Sequence, residues 1–284
     1  MTDTILSIAI VGAGGKMGMR VSNNLQRSQH TVSYSENSAV GQERVRAQGR
    51  EITPTEAAVP DADVVLLAVP DRALGVVSEA VIPLMKPGAI VLTLDPAAAY
   101  AKLLAQRDDL EYAVAHPCHP SVFLERTDPA QYADNFGGEA APQDVVAALE
   151  SNDPAVQAVA ESVIRIIYGP VLTVHWVTVE QLAYLEPTLV EAVACMIGQL
   201  LKDALDETVN TVGVPEAAAR AMLHGHVQIA LTNTLLGSNP FSEGCLIAMD
   251  YGRESIIRDD WKKIFERREL DRMIGRMLAL DETK

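Results

Sequence analysis

Leu6-Ser7-Ile8-Ala9-Ile10-Val11-Gly12-Ala13-Gly14-Gly15-Lys16-Met17-Gly18 stands near the start of the chain, and its reading decides the fold. Leu6–Val11 is a short apolar run of the kind that forms a buried strand, and it leads straight into a glycine-rich loop and a helix-forming stretch. In such a strand, loop and helix, Gly12 permits the tight turn and Gly14 lets the backbone approach a pyrophosphate. Gly18 lets the helix pack closely on the sheet, and the first amides of the helix bind the anion. The last glycine comes one residue later than in the common GxGxxG form. Gly12, Ala13, Gly14, Gly15, Lys16, Met17 and Gly18 are thus the candidate dinucleotide-binding loop, with a merely structural turn as the alternative.

The next β-rich run, Thr31–Ser35, is followed by Glu36, eighteen residues beyond Gly18. A carboxylate at the end of the second strand accepts both ribose hydroxyls of NAD and repels the 2'-phosphate of NADP. No arginine stands in the next few residues to take that phosphate, so NAD is the expected cofactor unless Glu36 is only a solvated loop residue. A further buried strand, Val64–Val69, is expected to bring Val69 and Pro70 past the nicotinamide ribose, because ligands of such sheets bind at the carboxyl edge.

Other strands are read at Ile90–Leu94, Tyr112–Ala115, Val145–Leu149 and Val171–Trp176. Helix-length segments lie between several of them, at Met17–Gln26, Ala73–Pro83 and Ala155–Tyr168, the last entered through the cap Asp153 and Pro154. This is the pattern of a mostly parallel, doubly wound sheet. After Trp176 the strand signal stops, Thr178 to Gln181 reads as a capping box, and the remainder looks helical. The expected fold is α/β: an N-terminal Rossmann domain over residues 1–177 followed by an all-helical C-terminal domain over residues 178–284. Thr188–Leu205 is apolar on most of its circumference, which marks a buried helix, either central to one monomer or lying between subunits.

Across 284 residues, 48% hydrophobic and 21% charged, the composition is that of a globular protein with a sizeable core. Three scattered cysteines, Cys118, Cys195 and Cys245, argue against a disulfide framework or a CxxC zinc site and fit a reducing cytoplasm. The formal charge of -15 offers no footprint for nucleic acid and repels an anionic membrane surface. No stretch reads as a membrane span, and the first apolar run is too short for a signal segment. The expected partners are a small molecule and, through the helical half, a second copy of the chain in a homodimer.

Catalytic candidates gather at two places. His116-Pro117-Cys118-His119-Pro120 follows a strand, and each histidine precedes a proline, so the stretch is extended. His116 and His119 would lie near the nicotinamide, as catalytic groups or ligands, or else as histidines satisfied by the backbone. Glu186 precedes Pro187 in what otherwise looks like one helix; it points into a cleft beside a kink, or caps a fresh helix, or does both. Glu191, an acid within an apolar helix, needs a partner if buried. His116 and Glu186 together are candidate ligands for one divalent metal, zinc or a similar ion. His175, His224 and His226 read as structural. Tyr251-Gly252-Arg253-Glu254-Ser255, with Arg258 and Lys262, is either a grip for a substrate carboxylate or a solvated helix face.

The Gly12–Gly18 loop, the strand ending Val69-Pro70-Asp71 and the helical second half together resemble the 6-phosphogluconate and β-hydroxyacid dehydrogenase superfamily. Those enzymes place a catalytic lysine near the start of the central helix, whereas Thr178 to Leu201 contains none. His116-Pro117-Cys118-His119-Pro120, Leu185-Glu186-Pro187-Thr188 and Asn239-Pro240-Phe241-Ser242 resemble instead the D-apionate oxidoisomerase group. That resemblance implies an NAD-dependent oxidoreductase of sugar-acid catabolism, which oxidises the 2-hydroxyl of D-apionate and then moves a hydroxymethyl group to give 3-oxo-isoapionate. A simple dehydrogenase of another branched or β-hydroxy acid, and a non-catalytic NAD sensor, are the alternatives.

Overall fold

Short runs rich in valine, isoleucine, leucine and alanine supply strands that are apolar on both faces, as a parallel sheet covered on each side requires. The computed structural model describes residues 4–151 and 153–280. Its strands are β1 (Ser7–Val11), β2 (Thr31–Ser35), β3 (Val64–Leu67), β4 (Ile90–Thr93), β5 (Glu111–Pro117), β6 (Gln143–Leu149) and β7 (Val171–Val177). They form one seven-stranded sheet in the order β2-β1-β3-β4-β5-β6-β7. Every neighbouring pair is parallel except β5 and β6. The chain leaves β1 for β2 on one side and returns on the other as β3, which puts the topological switch point between β1 and β3.

Side chains alternate between the two faces with the period of two that a strand imposes. Ile8, Ile10, Leu66, Leu92 and Ala115 pack on one face with Val21, Leu25, Ile164 and Ile167. Ala9, Val11, Val65, Leu67, Val91 and Val114 pack on the other with Leu74, Val81 and Ile82. Several strand ends differ from the sequence reading by one or two residues, β6 beginning at Gln143, and two of the differences lie near the site. β3 stops at Leu67, short of Val69, and β5 runs on through His116 and Pro117, which pair with Val146 and Val145 of antiparallel β6. That pairing is between distant segments and leaves no local mark.

The helices that follow the strands are α1 (Lys16–Leu25), α2 (Ala39–Ala47), α3 (Thr55–Ala58), α4 (Asp71–Val81), α5 (Ala97–Tyr100), α6 (Pro129–Ala133) and α7 (Pro154–Ile167). The Asp153 side chain caps α7 by accepting from the Ala155 amide at 2.7 Å. After β7 come α8 (Val179–Ala183), a π-helix (Tyr184–Cys195), α9 (Met196–Asn210), α10 (Glu216–Leu236), α11 (Glu243–Ile256) and α12 (Arg267–Met277). The capping box at α8 is present, with Thr178 and Gln181 each bonding the other's backbone amide. Pro187 lies inside the π-helix, so the alternative in which Glu186 caps a fresh helix does not hold. The wider π turn accommodates a residue that has no amide to give.

The chain forms two compact units, one of the residues up to Glu186 together with those from Asp271 onward, the other Pro187–Leu270. Strands cease at Val177, but Leu182 and Ala183 of α8 are buried in the first unit's core, and the chain returns to that unit through α12. There the Arg72 Nε donates to the Met277 carbonyl at 3.0 Å, and the Tyr100 hydroxyl lies 2.6 Å from Asp271 Oδ1. The apolar run over residues 188–205 is not the central helix of one monomer. Leu189, Val190, Met196, Ile197 and Leu200 are 38–51% exposed. Among the described residues no helix is long and apolar enough to cross a membrane.

Candidate active site

The carboxyl ends of the parallel strands carry the functional groups. At the end of β1, Gly12 adopts a positive φ of +87°, and its amide and that of Ala13 both donate to the Ser35 carbonyl, at 2.9 and 3.0 Å. A Cβ at Gly12 would stand 2.6 Å from the Ala68 carbonyl oxygen and 2.8 Å from the Val69 side chain, so Ala68 and Val69 after β3 lie against the loop at the switch point, with Pro70 following as the residue that leads into α4. A Cβ at Gly18 would meet the Gly12 oxygen at 2.0 Å, which is the close helix packing expected of it. At Gly14 the added atom would strike the backbone of Gly41 at 2.4 Å, so this glycine also admits α2 to the loop. No side chain caps α1, whose first amides are thus left for an anion. This cradle fits a dinucleotide pyrophosphate.

Glu36 follows β2 and is drawn into the loop. Its Oε2 accepts from the Gly14 amide at 2.9 Å, and its Oε1 accepts from the Ser38 amide and hydroxyl at 2.8 and 2.9 Å. Burial pushes the carboxyl up, but these bonds and one from Asn37 outweigh it and hold the group below its ordinary range, hence ionised. A cation does stand nearby, contrary to the sequence reading: α2 carries Arg44 back to donate to the Gly14 carbonyl at 3.4 Å.

The second cluster forms where β4 and β5 end. Thr93 pairs with Val114, so continuing the parallel register by two residues sets Asp95 beside His116. Glu186, 5% exposed, joins them from the first turn of the π-helix. One ligand atom from each of Asp95, His116 and Glu186 lies within 4.8 Å of the others, the spacing of a metal centre. The sequence reading found His116 and Glu186 and missed Asp95; its signal was an acid directly after a strand at the carboxyl edge. Asp95 also accepts from the Ala97 amide at 3.0 Å, which fixes its carboxylate at the start of α5.

The His116 Nδ1 lies 3.1 Å from the Leu94 carbonyl, which can only accept, so the neutral ring carries its proton there and presents Nε2 as a lone pair. Burial lowers the His116 pKa against the opposing pull of Asp95 and the Leu94 bond, and burial raises that of Asp95. One neutral imidazole and two carboxylates suit a divalent ion, and three protein ligands leave positions open.

His119 lies outside this trio. It has a positive φ of 59°, and its Nδ1 donates to the Phe136 carbonyl at 2.7 Å. Its ring lies 4.5 Å from that of Phe136 and edge-on to His116 at 6.4 Å between centroids. The Phe136 ring in turn carries Lys16 Nζ at 5.0 Å and the Arg20 guanidinium at 4.4 Å. Glu191 sits at an exposed position of the π-helix in the other unit and is not part of the trio. His226 bonds the Met222 carbonyl within its own helix, and His175 faces Asp144 at 3.7 Å. Arg258, from the basic group read in the sequence, is 3.3 Å from Asp260 at the surface.

Similarity to known proteins runs through both halves of the chain. Residues 1–107 match a Rossmann-like domain, and residues 124–278 match the C-terminal domain of decarboxylating phosphogluconate dehydrogenase. The chain is 59% identical over 281 residues to the D-apionate oxidoisomerase of Pectobacterium atrosepticum, covering 99% of each. It is 43% identical to the D-apionate oxidoisomerase of Cupriavidus necator, over 95% of this chain and 98% of the relative. A crystal structure from Cupriavidus necator, described as a semialdehyde dehydrogenase NAD-binding protein in complex with calcium and NAD, superposes with a TM-score of 0.92 at 42% identity. It covers 96% of this chain and 100% of its own.

Proposed function

The chain belongs to the D-apionate oxidoisomerase family, with the domain make-up of the 6-phosphogluconate dehydrogenase-like superfamily, and from that premise we propose that it converts D-apionate and NAD to 3-oxo-isoapionate and NADH. The observation that carries the reading is the Asp95, His116 and Glu186 trio at the same sheet edge as the dinucleotide loop. The net change has two parts. The 2-hydroxyl carbon loses a hydride and its oxygen a proton, giving a 2-oxo acid beside a tertiary alcohol. A hydroxymethyl group then moves from the third carbon to the second; the tertiary alcohol becomes the ketone, and the former ketone oxygen takes up the proton.

When bound, NAD supplies the hydride acceptor, and a divalent ion supplies a Lewis acid that acidifies an alcohol and polarises a ketone. The chain's own groups supply the rest. The Gly12–Gly18 loop holds the pyrophosphate, and the ionised Glu36 selects the ribose diol over a 2'-phosphate. Asp95, His116 and Glu186 would hold the metal, with the Leu94 carbonyl fixing the His116 tautomer. His119 presents Nε2 to a substrate hydroxyl, and Glu191 would act only from outside the trio. The absence of a lysine between Thr178 and Leu201 fits chemistry that proceeds without one. A reducing cytoplasm suits a protein whose three cysteines are all free.

Incubation of D-apionate with the protein, NAD and a divalent ion is expected to give NADH and a 3-oxo acid whose carbon-13 spectrum shows the migrated hydroxymethyl. Chelation is expected to abolish turnover, and Asp95→Asn to weaken metal affinity by about tenfold or more. Recovery of only the unrearranged 2-oxo acid would reduce the enzyme to a simple dehydrogenase; absence of NADH would remove the substrate.

A further inference from the structure

With a divalent ion held between its two carboxylates the trio would carry no net charge, so it would offer a sugar acid's own carboxylate little net attraction. An anionic substrate therefore calls for a further cation beside the trio. The chain carries a formal charge of -15, and many of its cations face carboxylates. Arg20, for one, faces Asp134 at 3.3 Å and Glu139 at 3.7 Å. Lys16 is different: it is exposed, and among the described residues its recorded contact is with the Phe136 ring, not with a carboxylate.

The surroundings of Lys16 lead directly to the trio. Phe136 carries the ammonium on its ring and, through its carbonyl and its ring face, fixes His119, which lies edge-on to His116. Lys16, Phe136, His119 and His116 are thus one contiguous run from the dinucleotide loop to the trio. His119 is held at a positive φ, a conformation that is uncommon outside glycine and recurs at ligand sites. Because its Nδ1 proton is committed to the Phe136 carbonyl, the neutral ring offers an acceptor at Nε2. That suits a hydroxyl and not a carboxylate.

Resting on the sugar-acid reading above, we propose that Lys16 is the carboxylate-recognition residue of the substrate site, with the Phe136 ring as its platform and His119 taking a hydroxyl, so that the acid end points away from Asp95 and Glu186. The Lys16 backbone still belongs to the phosphate-binding loop; its side chain serves the second substrate.

The test is calorimetric titration of the full chain, with calcium and NADH present so that no hydride can be accepted, by D-apionate and by its primary amide, which has the same shape without the charge. The wild type is expected to bind the acid about tenfold or more tightly than the amide, as a charge-assisted hydrogen bond implies. Lys16→Gln is expected to bring that ratio near one, Lys16→Arg to restore it in large part, and NAD affinity, titrated separately, to change by less than about threefold. His119→Phe keeps a ring on Phe136 and is expected to weaken acid and amide alike, leaving the ratio intact. The proposal is overturned if the wild type does not distinguish acid from amide or binds neither. It also fails if Lys16→Gln keeps the ratio and loses NAD instead, or if His119→Phe erases the ratio. NADH formation from D-apionate with a ratio indifferent to Lys16 would sink this proposal and spare the reaction. A Lys16-dependent ratio without NADH formation would do the reverse.

Discussion

Glu36 and Arg44, which both bond Gly14, are expected to set the cofactor choice between them. Glu36 is ionised and faces the loop, so a 2'-phosphate would meet a negative charge. Arg44, which α2 returns to the Gly14 carbonyl, is the cation that a phosphate would seek. Wild-type protein is therefore expected to prefer NAD, Glu36→Ala to raise the efficiency with NADP by about tenfold, and Arg44→Ala in that background to cancel the gain. Steady-state rates with both cofactors check this; equal use of NADP by the wild type would show that Glu36 does not face the ribose. Glu36 was legible because its place after the second strand is a matter of spacing along the chain. Arg44 and Asp95 were not, for related reasons. Arg44 comes near through the turn of a helix, and Asp95 comes beside His116 through the register of β4 on β5.

At the scale of elements, short apolar runs marked all seven strands and the glycines marked the loop between β1 and α1, whereas the part of the β5–β6 segment beyond Pro120 carried no readable pattern. That segment is organised by one buried carboxylate. Asp134 accepts from the amides of Gly137 at 2.8 Å, Glu139 at 3.1 Å, Ala140 at 2.8 Å and Ala141 at 3.1 Å, and Arg20 lies beside it. Arg20 also donates to the Gly137 carbonyl, so the segment that carries Phe136 is tied to α1. Burial pushes the Asp134 carboxyl up, but the four amides overcome it and hold it below the ordinary aspartate range. A depressed folded-state pKa gives stability that is present above the unfolded value, near 3.9, and is lost as pH falls through the folded value. Asp134→Asn, which turns an amide donor toward amide donors, is expected to cost about 2–4 kcal/mol at neutral pH. Part of the stability lost as pH falls below about 4 should disappear from its profile. Urea denaturation across that range checks both; a neutral-pH loss under about 0.5 kcal/mol would mean that the amides find other acceptors. The π turn around Pro187 was equally hidden, since a proline in a helical pattern announces a break and not the wider turn that absorbs it.

For the whole molecule, the question is what covers the second unit. Residues of α9, α10 and α11 that would be core in a closed monomer are exposed here, among them Met196, Ile197, Met222, Ile229, Leu246 and Ile247. Between α9 and α10 lies an apolar groove of about 420 Å³, lined by Leu205, Ala219, Met222 and Leu223. Monomers rarely expose contiguous apolar patches beyond a few hundred Å². An apolar patch of this kind is expected to pair with its like in an obligate dimer, whose interface would bury roughly 2,000 Å² or more. A second copy is the expected occupant, because each copy brings the same exposed apolar helices, and a strongly acidic chain disfavours association through its charged surface. The expected outcome is a homodimer that persists on dilution to nanomolar concentration in analytical ultracentrifugation. The paired change Ile197→Glu with Leu200→Glu is expected to give a monomer or an aggregate while the isolated α/β unit's far-ultraviolet signature remains. A wild-type sedimentation coefficient of a monomer at micromolar concentration would show that these helices face something other than a copy of themselves.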